Sequence, residues 1–83
     1  MIEDIPKGYN IGWTVVDDRC VTTASVARSS PVGYHLQFET FIWFWDGEKR
    51  TSIIDQIIHR SKNEAEKVHG YIVSNLETKK VSE

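Results

Sequence analysis

The sequence has one cysteine, two prolines and no excess of positive charge, and these scarcities exclude several classes of protein. A lone Cys20 cannot form an internal disulfide, whereas small secreted domains usually carry several. Ten Lys and Arg residues against twelve Asp and Glu give a net charge of −2, unlike a protein that holds nucleic acid by its phosphates. No apolar run approaches the roughly 18 residues that a membrane span needs. The sequence therefore predicts a soluble, cytoplasmic protein without membrane association.

The length of 83 residues leaves room for a single small domain over 1–83. With 40% hydrophobic and 27% charged residues, the composition is that of a folded chain, not a disordered one. Pro6, Gly8 and Asn10 predict a loosely ordered lead-in over 1–10, and the polar run over 77–83 predicts a loosely ordered end.

Alternation of side chains predicts a first strand, and composition rich in β-branched, small and then aromatic residues predicts two more, all within 11–45. A strand over 11–17 and a second over 20–28 are separated by a short polar break, so they should form an antiparallel hairpin. Proline and glycine predict a loop over 29–33. The longest and most aromatic strand is expected over 34–45, closed by the turn dipeptide Asp46-Gly47.

The segment 51–60 is compatible with two structures. Its four isoleucines recur at spacings of three and four, which is typical of an amphipathic helix, yet β-branched pairs also suit a strand. The preceding strand and turn favour a fourth antiparallel strand. These residues are Ile53, Ile54, Ile57 and Ile58.

A C-terminal helix is indicated by Ser61 followed by Glu64, the pattern of a capping box. An apolar stripe follows it, and we expect Val68 and Ile72 of this stripe to be buried against Phe38 or Ile42. The complete stripe is Ala65, Val68, Ile72 and Leu76. The predicted fold class is α+β: a four-stranded antiparallel β-meander with one C-terminal α-helix packed on one face.

The long strand has two unequal faces, of which one helix can cover only one. The helix should cover the face that carries Leu36, Phe38, Thr40, Ile42 and Phe44. The other face combines polar residues with three rings, which could present on the order of 500 Å² and form a contact surface for a protein. The candidate contact residues are Phe41, Trp43, Trp45, Trp13 and Glu39.

Two alternatives remain for this second face. Trp13, the N-terminal Ile2 and Ile5, or curvature of the sheet could close over the rings, which would make them core. The rings could instead stack nucleic-acid bases, although Glu39 and other acidic neighbours argue against that use. We expect Glu39 itself to lie on the open face beside a Lys or Arg of the next strand.

The sequence gives little support for a catalytic or metal-binding site. His35, His59 and His69 have no close ligand spacing, and Cys20 is far from all three in sequence. His59 is expected at a polar strand end, and His69 at the edge of the helical stripe with its ring packed. The sequence therefore predicts no catalytic residue, no metal site and no cofactor. An enzyme or metal protein that uses Glu39 and the histidines is a minor alternative.

Two segments resemble a group of small uncharacterised phage and prophage proteins. The segment Phe38-Glu39-Thr40-Phe41-Ile42-Trp43 is similar to the F/Y-E-T-hydrophobic-hydrophobic-aromatic strand of that group, and Val21-Thr22-Thr23 is similar to the V-S-T-like strand before it. The segment 59–65, with His69, is similar to its S-x-x-E-A-x-x-x-H helix start. The short Asp46-Gly47 turn and the lack of a histidine-containing loop after the second strand depart from the pattern. The resemblance implies a small α+β protein of phage origin without assigned catalytic residues.

The sequence as a whole predicts a non-enzymatic protein that acts by protein–protein binding, and the resemblance implies that it modulates host machinery. The partner would be another protein or a second copy of the chain, and nucleic acid is not favoured. The alternatives are a single-stranded nucleic-acid binder that uses an aromatic sheet face, and a structural protein of unknown role.

Overall fold

The computed structural model describes residues 11–82 and shows a four-stranded antiparallel sheet with one helix against it. Neighbouring strands in the sheet are also neighbours along the chain, so the sheet is a meander, as predicted. The helix contacts all four strands. The predicted lead-in over 1–10 lies outside the described residues. The elements are β1 (Gly12–Val16), β2 (Arg19–Ser30), β3 (Gly33–Trp45), β4 (Arg50–His59) and α1 (Lys62–Ser82).

Tight turns join the first three strands. Val16 pairs with Arg19, so only two residues connect β1 to β2, and Asp17 adopts a φ of 54°, a left-handed conformation that aspartate tolerates. The predicted loop over 29–33 is shorter than expected, because Ser30 pairs directly with Gly33. Gly33 has a φ of 123°, a conformation open mainly to glycine, and this permits the tight turn.

The turn between β3 and β4 is organised by one carboxylate. Asp46 Oδ1 accepts hydrogen bonds from the backbone N–H groups of Glu48 (2.8 Å) and Lys49 (2.9 Å). These bonds, the first more than the second, lower the pKa of Asp46 below its ordinary value of 3.8. Gly47 follows with a φ of 105°. The chain then returns as β4, so the strand prediction for 51–60 is confirmed and the helical alternative is wrong.

The hairpin of β2 and β3 is longer than its neighbours. β1 pairs with β2 only as far as Thr23, and β4 pairs with β3 only from Phe38 onward. Among the described strands, residues 26–37 therefore form a two-stranded extension, which we call the projecting arm. The prediction that the helix covers this whole side of β3 is wrong at both ends, since Leu36 on this arm is 66% exposed and Phe44 is 43% exposed.

The N-terminus of α1 is capped as predicted. The backbone N–H of Glu64 donates to Ser61 Oγ at 3.1 Å, and that of Ala65 donates to the Ser61 carbonyl at 3.0 Å. Ala65 is fully buried, but Val68 and Ile72 are only half-buried, less than expected. The helix also continues to Ser82, through the segment that we expected to be loosely ordered.

Replacing Gly70 with alanine is expected to raise the free energy of unfolding by about 0.5–1 kcal/mol. Gly70 lies in the interior of α1, where glycine is a poor helix former, and no atom lies within 4 Å of the position a Cβ would take. Urea denaturation of the two proteins measures the difference. A less stable variant would show that α1 does not leave this position open.

Candidate functional site

The sheet is buried on both faces at the same point of β3. Glu39 and Thr40 are consecutive and point to opposite faces, yet they are 1% and 0% exposed. Thr40 lies on the helix face, the side of the sheet that α1 covers. Glu39 lies on the aromatic face, which also carries Trp13, Phe41, Trp43 and Trp45, as the alternation predicted.

A continuous series of hydrogen bonds crosses the helix face. Thr23 Oγ1 is 2.7 Å from Thr40 Oγ1 and 2.7 Å from Nδ1 of His69 on α1. At one end, Nε2 of His69 is 3.0 Å from Thr14 Oγ1. At the other end, Thr40 Oγ1 is 2.8 Å from Nε2 of His59. We call these five side chains the Thr–His network.

The register of the strands and the lack of a side chain at Gly12 bring the side chains of the network within hydrogen-bond distance. Thr23 lies opposite Thr40 on one side and Gly12 on the other, so the two hydroxyls meet in the middle of the helix face. A Cβ at Gly12 would lie 2.7–2.9 Å from three atoms of the His69 ring. The absence of a side chain at Gly12 therefore allows the imidazole to approach the sheet and reach Thr14 and Thr23.

The network is largely closed to solvent. Thr23 and Thr40 are fully buried, His59 is buried and His69 is half-buried. Burial lowers the pKa of His69 below its ordinary value of 6.5, because the charged ring would lose solvation. The polar groups satisfy one another, which makes their burial tolerable.

A carboxylate stands beside the far end of the network. Glu64 Oε2 lies 3.6 Å from Nδ1 of His59. The order hydroxyl, imidazole, carboxylate in Thr40, His59 and Glu64 resembles a nucleophilic triad. However, Thr40 Oγ1 is buried and already bonded to Thr23, so a substrate carbonyl has no route to it in this structure.

Sequence reasoning missed this network. His59 was expected at a polar strand end and is buried, and His69 was expected to pack its ring at the edge of the stripe but bonds two threonines. The one available indication was Thr40, which interrupts the apolar series Leu36, Phe38, Ile42 and Phe44 on its side of β3. A buried hydroxyl requires a partner, which a histidine on the covering helix can supply.

The aromatic face carries rings in contact with one another. The Trp13 and Trp45 rings meet edge to face with centroids 6.2 Å apart, and the Phe41 and Trp43 rings lie 5.6 Å apart. Trp43 Nε1–H donates to Thr22 Oγ1 at 2.9 Å. We call these four rings the aromatic cluster. Each of them is half-buried, so the cluster is neither a closed core nor a fully open surface.

A cation lies over the cluster. The Arg50 guanidinium is 4.5 Å from the Trp43 ring centroid and 5.2 Å from that of Trp13, both within cation–π range. Beneath the cluster, Cys20 is fully buried opposite Trp43. Burial raises the pKa of the Cys20 thiol to about 11, and nearby Arg50 offsets part of this effect. The thiol is therefore protonated and unreactive.

Glu39 departs from its predicted setting. Instead of facing solvent, it lies between Ala24 and Ile58 and is buried. Its Oε2 accepts a hydrogen bond from Gln37 Nε2 at 2.7 Å. Glu39 is therefore not part of the accessible surface beside the aromatic cluster.

Exposed aliphatic side chains border the cluster along β4. Ile53 is 52% exposed opposite Trp43, and Ile58 is 59% exposed opposite Glu39. Val15 is exposed on the other side of the cluster. Because β4 is the last strand of the described sheet, this border coincides with a sheet edge.

No family model, curated protein or solved structure matches the chain. Among the residues that the structure describes, no group of three or more His, Cys, Asp or Glu side chains could hold a metal ion. Within 11–82, no helix is long and apolar enough to cross a membrane.

Proposed function

We propose that the protein acts without catalysis, by binding another protein through its aromatic face. The observation that carries this proposal is the half-buried aromatic cluster with Arg50 laid over it and exposed Ile53 and Ile58 beside it. Tryptophan and arginine are the residues that most often dominate protein interfaces, and they are most effective when neighbouring contacts exclude water. A cluster of this composition on one face of a small sheet suits such a contact.

The size of the contact favours a partner that also uses the sheet edge. A standard interface buries about 800 Å² on each partner, more than half-buried rings alone provide. β4 supplies the remainder, because its isoleucines continue the apolar surface and its outer side is a sheet edge that another strand can extend. A second copy of the chain, paired around a two-fold axis, is one such partner.

Base stacking is less well supported. The net charge of −2 provides little attraction for phosphates, and the Arg50 guanidinium covers ring faces on which bases would stack. The resemblance of 38–43 and 59–65 to small phage and prophage proteins supports the further proposal that the bound partner belongs to host machinery.

The experiment that tests the proposal measures association of the Trp43→Ser variant. Sedimentation equilibrium detects self-association, and capture from an extract of the native host cell detects another partner. We expect the substitution to weaken association at least tenfold, because a central interface tryptophan contributes about 2 kcal/mol or more. Since Trp43 also bonds Thr22, the exposed Ile58→Ser variant is measured beside it and should weaken association with less effect on folding.

The matched control is Tyr71→Ser, which removes a 69% exposed ring from α1 on the other side of the sheet. It should associate like the parent protein. If all three variants bind equally well while circular dichroism shows them folded, the aromatic face is not the contact surface. Binding that disappears after nuclease treatment, or that weakens steeply with added salt, would instead favour nucleic acid.

A further inference from the structure

Only two arrangements of the protons place a hydrogen bond between every pair of neighbours in the Thr–His network. Each threonine hydroxyl has a single proton, so Thr23 and Thr40 can each donate to one neighbour only. If both donated outward to the histidines, no proton would lie between their oxygens, which are 2.7 Å apart. If both histidines donated inward, one buried hydroxyl proton would lack an acceptor within the network. The hydrogen bonds must therefore all run in one direction or all in the other.

Glu64 selects the direction while His59 is neutral. The Glu64 carboxylate lies 3.6 Å from His59 Nδ1, too far for a hydrogen bond, but its negative charge favours a proton on that nitrogen, so the neutral ring is stabilised as the Nδ1–H tautomer. His59 Nε2 then accepts from Thr40, and Thr40 accepts from Thr23. Thr23 in turn accepts from His69 Nδ1–H, which leaves His69 Nε2 to accept from Thr14.

A proton on His59 imposes the opposite direction. Both ring nitrogens of the cation are donors, so Nε2–H now donates to Thr40. Thr40 must then donate to Thr23, and Thr23 to Nδ1 of His69. His69 remains neutral only as the Nε2–H tautomer, which donates to Thr14. We infer that protonation of His59 reverses the direction of every hydrogen bond in the Thr–His network. It thereby switches the tautomer of His69, at the other end of the network.

The proton balance of this switch needs no additional group. One proton from water reaches His69 Nε2, and the proton on Nδ1 passes to Thr23 Oγ1. Thr23 passes its own proton to Thr40, and Thr40 passes its own to His59 Nε2. Each oxygen loses one O–H bond and forms another, and the result is the reversed network. The route begins at the half-buried ring, whereas the His59 side chain is 1% exposed.

Among the described residues, few charged groups lie near the network. From α1, Glu64 faces His59, and burial of His69 lowers its pKa, which favours the neutral ring. β1, β2 and β3 contribute only uncharged threonines to the network. Two other charged groups share the helix face: Asp55 is exposed and bonds the N–H of Gln56, and Arg19 lies at the far end in an ion pair with Asp18.

The test is nuclear magnetic resonance of the imidazole nitrogens in the uniformly ¹⁵N-labelled chain, titrated from about pH 8 to about pH 5. Long-range proton–nitrogen correlations distinguish the two neutral tautomers from the cation. We expect His69 to change from the Nδ1–H to the Nε2–H tautomer as His59 becomes a cation. The two transitions should have the same pH midpoint. The inference is overturned if His69 keeps one tautomer while His59 titrates, or if His69 becomes a cation together with it.

Two variants establish that the coupling passes through the network. Glu64→Gln, at a partly exposed side chain, removes the carboxylate beside His59, and any change in the midpoint of the His59 transition should appear equally in the His69 transition. Movement of one transition alone would contradict the coupling. Thr40→Val interrupts the network and should leave His69 in one tautomer throughout the titration. Should that variant unfold, the parent protein and Glu64→Gln still decide the result.

Discussion

Replacing Thr40 with valine is expected to lower the free energy of unfolding by about 2–4 kcal/mol, a large part of the stability of a domain this small. Valine has nearly the same shape, so packing is preserved and the loss comes from the hydroxyl. Thr23 and His59 each lose a hydrogen bond inside a buried site, and an unsatisfied buried polar group costs about 1–3 kcal/mol. Urea denaturation followed by circular dichroism measures the effect.

Two further substitutions isolate the hydroxyl as the cause. Thr40→Ser keeps the oxygen and should cost only about 1 kcal/mol for the lost methyl group. Thr51→Val makes the same change on the exposed edge strand, where the Thr51 hydroxyl lies 3.5 Å from the Phe44 carbonyl, and should cost less than about 0.5 kcal/mol. Equal losses in Thr40→Val and Thr51→Val would show that the buried network contributes little stability.

Replacing Gly12 with alanine is expected to destabilise the protein by about 2–3 kcal/mol. The new methyl group would lie 2.7–2.9 Å from the His69 ring, which is bonded through both nitrogens and cannot move without breaking one of those bonds. The expected loss combines overpacking with the weakened hydrogen bonds to Thr14 and Thr23.

The Gly70→Ala variant is the matched control, because the same change there meets no neighbouring atom. Denaturation should therefore show opposite signs for the two glycine substitutions. A Gly12→Ala protein as stable as the parent, with the His69 tautomer unchanged at neutral pH, would mean that the ring does not lie over Gly12 as described.

Much of the fold follows from short-range patterns. Alternation predicts the strands, Asp46-Gly47 predicts the turn, and Ser61 with Glu64 predicts where the helix begins. These features depend on residues a few positions apart, which is why the sequence alone suffices for them. Whether 51–60 forms a strand or a helix is predicted from the preceding strand and turn, because an antiparallel meander continues with a strand after such a turn.

The Thr–His network could not be predicted in the same way. Threonine is common in strands because it is β-branched, so Thr14 and Thr23 carry no local sign of a hydrogen-bonded role. Their bonds to His69 and His59 depend on the register of three strand pairs and on the rotation of α1 about its axis. Thr14 and His69, for example, are separated by 55 positions. Burial of Glu39 likewise depends on packing against other parts of the chain, which the residues next to it in the sequence do not predict.

The projecting arm divides the molecule into parts of unequal local stability. Within 11–82, no third strand pairs with it, and a two-stranded ribbon is marginally stable in water. Its tip, formed by Pro31 and the 97% exposed Val32, lies beyond the part of the sheet that holds the Thr–His network and the aromatic cluster. The arm can therefore open while the rest of the sheet stays closed. The tip is consequently the natural place to insert a foreign peptide or an affinity epitope without disturbing either face.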